Sequence, residues 1–214
     1  MDLEVKSNCM EDVLRRIQLP AEILKSYHSF GVKDLYDWQV ECLFSTGIWD
    51  GGHLIYCAPT SGGKTLVAEL LLLKTAILLK KTVIFVLPYV SLVTEKESYL
   101  KKLLARYNRS RPPLDRIKVR GFFGDHKGSR SYKENVLVCT IEKANQIFNS
   151  LITRGRGHQL GCVVFDEVHS LGSSFNGHLL EILIRYVGSH LLYQLACYCH
   201  SRHHCFLDAV LPMQ

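Results

Sequence analysis

Little in this sequence points away from water. No run reaches the ~18 apolar residues of a membrane span: the greasiest stretch, Leu66 to Leu92, is broken by Glu69, Lys74, Lys80 and Lys81. A secretory leader is missing as well, because Met1 to Arg16 carries Asp2, Glu4, Glu11 and Asp12 where such a leader is basic and then apolar. Neither sign of charge is in large excess. Lys plus Arg number 26 and Asp plus Glu 20, a net +6, which a nucleic-acid partner tolerates but which does not demand one. There is no disulfide framework: Cys9, Cys42, Cys57, Cys139 and Cys162 stand singly, three of them in apolar runs, as buried thiols of a reducing compartment do. Internal repeats and low-complexity segments are absent. The expectation is a soluble, non-secreted protein with no membrane partner.

What is present is enough for one sizeable α/β domain: 214 residues, 47% of them hydrophobic and 21% charged. Residues 1–50 read as mostly helical, with Pro20 at a helix start and Gly31 as a stop. From 51 to 187 short apolar runs alternate with amphipathic ones. Strands are expected at His53–Ala58, Val83–Leu87, Val119–Phe123, Val136–Thr140 and Cys162–Phe165, and helices at Lys64–Leu79, Leu92–Arg106 and Glu142–Leu151. Nearly continuous apolar strands in such alternation predict a parallel sheet covered by helices on both faces. Arg106–Arg116 (RYNRSRPPLDR) is basic and proline-interrupted, and reads as an exposed, solvated connector, with a DNA-contacting loop as the alternative. At 188–214 the composition shifts to a Cys- and His-rich tail, where the alternation is expected to end.

Chemistry concentrates in two places. Ala58, Pro59, Thr60, Ser61, Gly62, Gly63, Lys64 and Thr65 spell A-P-T-S-G-G-K-T between an apolar run and a helical pattern. This is the P-loop spacing with Ala58 in place of the first glycine. Small residues let backbone N–H groups face phosphate oxygens, and the helix N-terminus adds its positive dipole end. Lys64 can reach the β- and γ-phosphates and the Thr65 hydroxyl can take a Mg²⁺ position. The second place is Cys162–His169 (CVVFDEVH), an apolar strand ending in two carboxylates. Carboxyl ends of strands are where ligands bind in open α/β sheets. Asp166 suits Mg²⁺, usually through water, and Glu167 suits the orientation and deprotonation of an attacking water. Together they predict an ATP–Mg²⁺ site of catalytic Lys64, Asp166 and Glu167.

Asp166-Glu167-Val168-His169 makes a D-E-x-H box, which resembles motif II of superfamily 2 helicases; the N-K-x-D of GTPases and the L-S-G-G-Q of ABC proteins are absent. Leu35–Cys42 (LYDWQVEC) resembles the glutamine motif, which makes Gln39 a candidate for the adenine edge. Leu87–Lys96 (LPYVSLVTEK) and Cys139–Asn145 (CTIEKAN) resemble motifs Ia and Ib, so the resemblance implies nucleic-acid backbone contacts at Pro88, Tyr89, Ser91, Thr140 and Glu142. Leu19–Cys42, Ala58–Leu72 and Cys139–Asn145 together look like the helicase region of polymerase-theta-type DNA repair helicases, from about Leu19 to Val187. That resemblance implies a RecA-like fold, ATP and Mg²⁺ as cofactors, single-stranded or forked DNA as partner, and a nuclear location.

The departures are specific. Ser170 and Asn176 stand where the family has Met and Arg, no S-A-T motif follows, and nothing supplies the second RecA-like lobe with its arginine finger. The expectation is therefore the first lobe of a helicase, isolated by truncation, binding ATP and hydrolysing it poorly. A non-catalytic module that binds DNA or a partner, or an RNA helicase lobe, are the alternatives. In the tail, Cys197, Cys199 and Cys205 with His200, His203 and His204 offer zinc ligands in a spacing that matches no familiar finger; an alternative ending that covers a sheet edge is the simpler expectation.

Overall fold

The computed structural model describes residues 7–45, 47–50, 52–58, 62–124, 135–166, 168, 177–190 and 194–199. Three short helices come first: α1 (Met10–Arg16), α2 (Ala21–Ser29) and α3 (Asp37–Leu43). Pro20 occupies the N-cap of α2, and Gly31, at φ +81°, turns the chain after it, as the sequence pattern requires.

The rest alternates: β1 (Leu54–Cys57), α4 (Lys64–Ile77), β2 (Thr82–Leu87), α5 (Val90–Arg109), β3 (Val119–Phe122), β4 (Val136–Thr140), α6 (Ile141–Thr153), β5 (Leu160–Phe165), α7 (Gly177–His190) and β6 (Gln194–Cys199). All six strands are parallel, in the order β1-β6-β5-β2-β4-β3. This is the expected α/β, RecA-like architecture of a parallel sheet with helices on both faces.

The strands are buried on both sides because their alternate residues serve two cores. Val83, Phe85 and Leu87 of β2, Val136 and Val138 of β4 and Cys162 and Val164 of β5 face a core shared with α1 to α5. Ile84, Val86, Leu137, Cys139, Val163 and Phe165 face the other, shared with α6 and α7. Period-two alternation with both sets apolar is the pattern a doubly covered sheet imposes. The segment 1–50 has no core of its own: Met10, Ile23, Tyr27 and Leu43 pack into the same cluster as α4 and α5.

Two expectations need correction. Helix α5 runs on to Arg109, so it takes in the first four residues of the stretch read as a connector, and Pro113–Asp115 adds a 3₁₀ turn. The alternation also does not end at Val187. Helix α7 continues to His190, and Gln194–Cys199 enters the sheet between β1 and β5, with Leu54 in register with Ala196 and Cys162 with Gln194. That strand (QLACYC) contains no β-branched residue and one aromatic, Tyr198, so propensity gave little sign of it. It is an inner strand rather than a cover for an edge. His200, His203, His204 and Cys205, and the departures at Ser170 and Asn176, lie outside the described residues. Among the described residues, no cluster of three or more His, Cys, Asp or Glu could hold a metal, and no helix is long and apolar enough to cross a membrane.

Cys139 and Cys162 are fully buried, and burial pushes both thiols up, Cys162 to about 12. In native protein at pH 8, iodoacetamide is expected to leave both unmodified for hours; labelling at the rate seen in denaturant would show that the sheet is open. Phe85 sits fully buried on β2, one of the two central strands of the sheet. Replacing it with Ala is expected to cost about 3–5 kcal/mol in urea unfolding, and a loss below ~1 kcal/mol would remove it from the core.

Candidate nucleotide and nucleic-acid site

Because every strand points the same way, every strand-to-helix turn reaches one edge of the sheet. The P-loop lies there between β1 and α4, and Asp166 directly after β5, with its N–H donating to Val86 O at 3.1 Å as a continuation of the ladder. Pro59, Thr60, Ser61 and Glu167 lie outside the described residues; Ala58, Gly62, Gly63, Lys64, Thr65 and Asp166 are in place around the same edge.

Gly63 is the N-cap of α4, in the left-handed region at φ +69°, ψ +29°. A Cβ there would lie 2.7 Å from Gln39 Nε2, so this position needs glycine twice, for its backbone and for its neighbour. Helix α4 starts at Lys64, which is 5% exposed. Tyr56 of β1 donates its hydroxyl to Lys64 O at 2.7 Å. Burial and then the nearby Cys42 and Asp166 hold the Tyr56 phenol far above its ordinary range, so it stays protonated as that donor. The bond ties the strand before the loop to the helix after it.

Gln39, 2% exposed on α3, accepts from Tyr36 N at 2.8 Å and donates to Gly63 O at 2.8 Å. These two bonds fix the orientation of the amide and bring the glutamine motif onto the P-loop. One N–H and one acceptor lone pair of the amide remain beyond those bonds. Gln39, Gly63, Thr65 and Asp166 all line one cleft of about 940 Å³, with the 31–36 loop forming its far wall. That volume is in the range of pockets for drug-sized ligands.

Sequence reasoning missed the floor of this cleft. Glu69, one helical turn beyond Thr65 and 3% exposed, accepts from Lys96 Nζ at 2.9 Å, from Tyr99 Oη at 3.0 Å and from Tyr27 Oη at 3.3 Å. Burial and the Glu69 charge push both phenols well above their usual range, which keeps them as donors. The four residues come from α2, α4 and α5, so a buried carboxylate joins the amino-terminal helices to the P-loop helix. The signal was present: Glu69 is a lone carboxylate inside the apolar run Leu66–Leu73 of α4, and a buried charge requires partners.

The motif Ia and Ib candidates fall on neighbouring strand ends, since Leu87 is in register with Thr140. Tyr89 is 67% exposed at the N-cap of α5, and Pro88, Ser91 and Glu142 stand around the same helix starts. Thr140 differs: it is 5% exposed at the N-cap of α6 and turns little surface outward.

Fold and placement together define a RecA-like P-loop domain. The profile of the DEAD/DEAH box helicase family matches residues 39–199, and the chain belongs to that family. The match runs past Val187, where the resemblance was expected to stop, and takes in β6. Mouse DNA polymerase theta is 43% identical over 167 residues, covering 78% of this chain and 6% of that protein. The human Helicase POLQ-like protein is 37% identical over 175 residues, covering 78% and 15%. ATP-dependent DNA helicase Hel308 of Methanocella arvoryzae is 30% identical, covering 80% and 22%. The chain thus spans a small part of each. Among solved structures, that of the DUF1998 helicase MrfA bound to DNA and AMPPNP superposes with a TM-score of 0.69 at 17% identity, over 90% of this chain and 28% of that one; it shares the fold.

Glu69→Ala leaves Lys96 facing the cleft floor without its partner, and is expected to cost about 3 kcal/mol of stability. In a double-mutant cycle with Lys96→Met, the double variant should lose less than the sum of the two single losses, with a remainder from the Tyr27 and Tyr99 hydroxyls that lose their acceptor. Additive losses would mean that the pair does not interact.

Proposed function

We propose that this chain is the ATP-binding first lobe of a DNA helicase of polymerase-theta type, working on single-stranded or forked DNA in nuclear DNA repair. The observation that carries this reading is the convergence of Gln39, Gly63, Thr65 and Asp166 on one cleft at the carboxyl edge of the sheet. The relatives named DNA polymerase theta, Helicase POLQ-like and ATP-dependent DNA helicase support it.

The residues fit ATP and Mg²⁺. The left-handed Gly63 leaves the start of α4 open to phosphate, and its N–H groups and dipole end favour anions. Ala58, Pro59, Thr60, Ser61, Gly62 and Gly63 cradle the phosphates, and Lys64 offsets charge on the β- and γ-oxygens. The Thr65 hydroxyl and the Asp166 carboxylate, which line the same cleft, hold the metal ion; when bound it neutralises charge that develops on the phosphate oxygens. Glu167 takes the proton of the attacking water. Gln39 offers its remaining N–H and lone pair to the adenine edge, and because its other bonds end on Gly63 O and Tyr36 N, base recognition and P-loop position are linked through one amide. Pro88, Tyr89, Ser91 and Glu142 present helix starts to the DNA backbone, and Thr140, the N-cap of α6, offers it little more than its backbone.

An arginine finger from a second lobe is worth about 10³–10⁵ in rate. This chain alone is therefore expected to bind ATP, to turn it over near background, and to unwind nothing. ATP binding and turnover, with and without single-stranded DNA, test this beside Lys64→Ala and Glu167→Gln. Lys64→Ala should weaken ATP binding at least tenfold, and Glu167→Gln should leave the low turnover unchanged. ATP affinity indifferent to Lys64→Ala sinks the nucleotide reading and leaves a binding module. DNA-stimulated turnover that both substitutions abolish would overturn the claim that one lobe is insufficient. Tighter binding to RNA than to a matched DNA strand would move the chain to RNA.

A further inference from the structure

The charge of this protein is not spread over it. Residues 101–118 (KKLLARYNRSRPPLDRIK) hold four arginines, three lysines and a single carboxylate, Asp115. Their excess of six equals the net +6 of the entire chain, so the other residues balance to zero. All seven cations are exposed. Among the described residues, Lys101 is the one member of the set within salt-bridge distance of a carboxylate, Glu97 at 2.7 Å.

The location excludes the motor edge. Helix α5 begins beside Tyr89 at the carboxyl ends of the strands and runs back along the sheet, because β3 after it is parallel to β2. Its 20 residues span about 30 Å. Arg106, Arg109, Arg111 and Arg116 thus gather at the pole opposite the P-loop, Asp166 and Tyr89.

This pole is built rather than loose. The Asn108 side chain clamps the returning chain twice, donating to Ile117 O at 2.9 Å and accepting from Ile117 N at 2.8 Å. Arg116 Nε donates to Arg111 O at 3.2 Å, and the Arg111 guanidinium lies 5.0 Å from the Tyr107 ring centroid. At the crest Leu114 is 98% exposed, next to Pro112 and Pro113.

We propose that this basic pole is a second nucleic-acid contact of the lobe, holding the phosphate backbone of the duplex arm of a forked substrate. The inference rests on the DNA-helicase reading above and adds a partner surface to it. Arginine forks suit phosphodiester oxygens in pairs. Held in a fixed loop, they lose less freedom on binding than they would on a mobile tail. An apolar crest flanked by arginines fits a groove of the duplex, where such residues contact the sugar edges. At ~3.4 Å per base pair along a duplex, a pole about 30 Å from the start of α5 meets an arm roughly nine pairs beyond the strand junction. An acidic protein segment is the competing occupant, and the polyglutamate arm of the test separates it from DNA.

The test uses the full chain and fluorescent forks with duplex arms of 20 and 5 base pairs, read by anisotropy across a salt series. The longer arm is expected to bind more tightly, with the steeper salt dependence. Arg109→Gln/Arg111→Gln/Arg116→Gln should remove that advantage, flattening the log–log slope on the long arm by about 2.7, or about 40-fold in affinity change between 50 and 200 mM salt. Arg109→Lys/Arg111→Lys/Arg116→Lys should keep most of the slope. ATP affinity should be the same in all three proteins.

Equal affinity for the two arms, or a long-arm slope untouched by the glutamine triple, overturns the proposal. So does a triple that loses polyglutamate binding while its fork binding stays intact, since that assigns the pole to acidic protein segments. Failure of the underlying reading looks different. Single-stranded DNA would then bind indifferently to Tyr89→Ala and Ser91→Ala, whatever the arms do.

Discussion

Six strands running in one direction impose a constraint from which the rest follows. Parallel neighbours are joined by crossovers over a face of the sheet, as α4, α5, α6 and α7 are here, so both faces carry helices and the central strands are apolar on both sides. The same rule delivers every strand-to-helix turn to a single edge. The start of α4, Asp166, Tyr89 and Thr140 therefore meet at that edge although they are far apart in sequence.

Within that frame the short amino-terminal helices are part of the site. Glu69 draws Tyr27 from α2 and Lys96 and Tyr99 from α5 onto the P-loop helix. Gln39 from α3 holds Gly63 from above. A buried carboxylate with three donors is expensive to assemble and rewards little if any member is lost. Together the Glu69 cluster and the Gln39–Gly63 bond tie α2, α3 and α5 to the helix that starts at Lys64.

Most of this architecture is legible in the residues. Apolar runs of four to six residues separated by amphipathic stretches predict β1 to β5 and α4 to α6 within a few positions; burial on both faces keeps the central strands β2, β4 and β5 almost free of polar residues, while the rim strand β3 carries an exposed Arg120. G-K-T and D-E-x-H are legible for a related reason: phosphate and metal ions tolerate few residue types. Three features escaped. Gln194–Cys199 is a strand because two neighbours make a slot for it, not because its residues prefer that conformation. The extra turn of α5 carries polar residues that suit a loop equally well. The Glu69 cluster depends on which helices meet, and one carboxylate in an apolar run says that a partner exists without saying which.

The placement of β1 carries one further consequence. The strand that leads into the P-loop is at the rim of the sheet, and its single ladder partner among the described residues is β6. A rim strand of four residues has few bonds with which to resist being pulled or slid. The Tyr56–Lys64 bond ties β1 to the start of α4, and β1 in turn is laddered to β6. Whatever steadies or loosens Gln194–Cys199 therefore acts on the start of α4 as a tensioner acts on a string, from beside it.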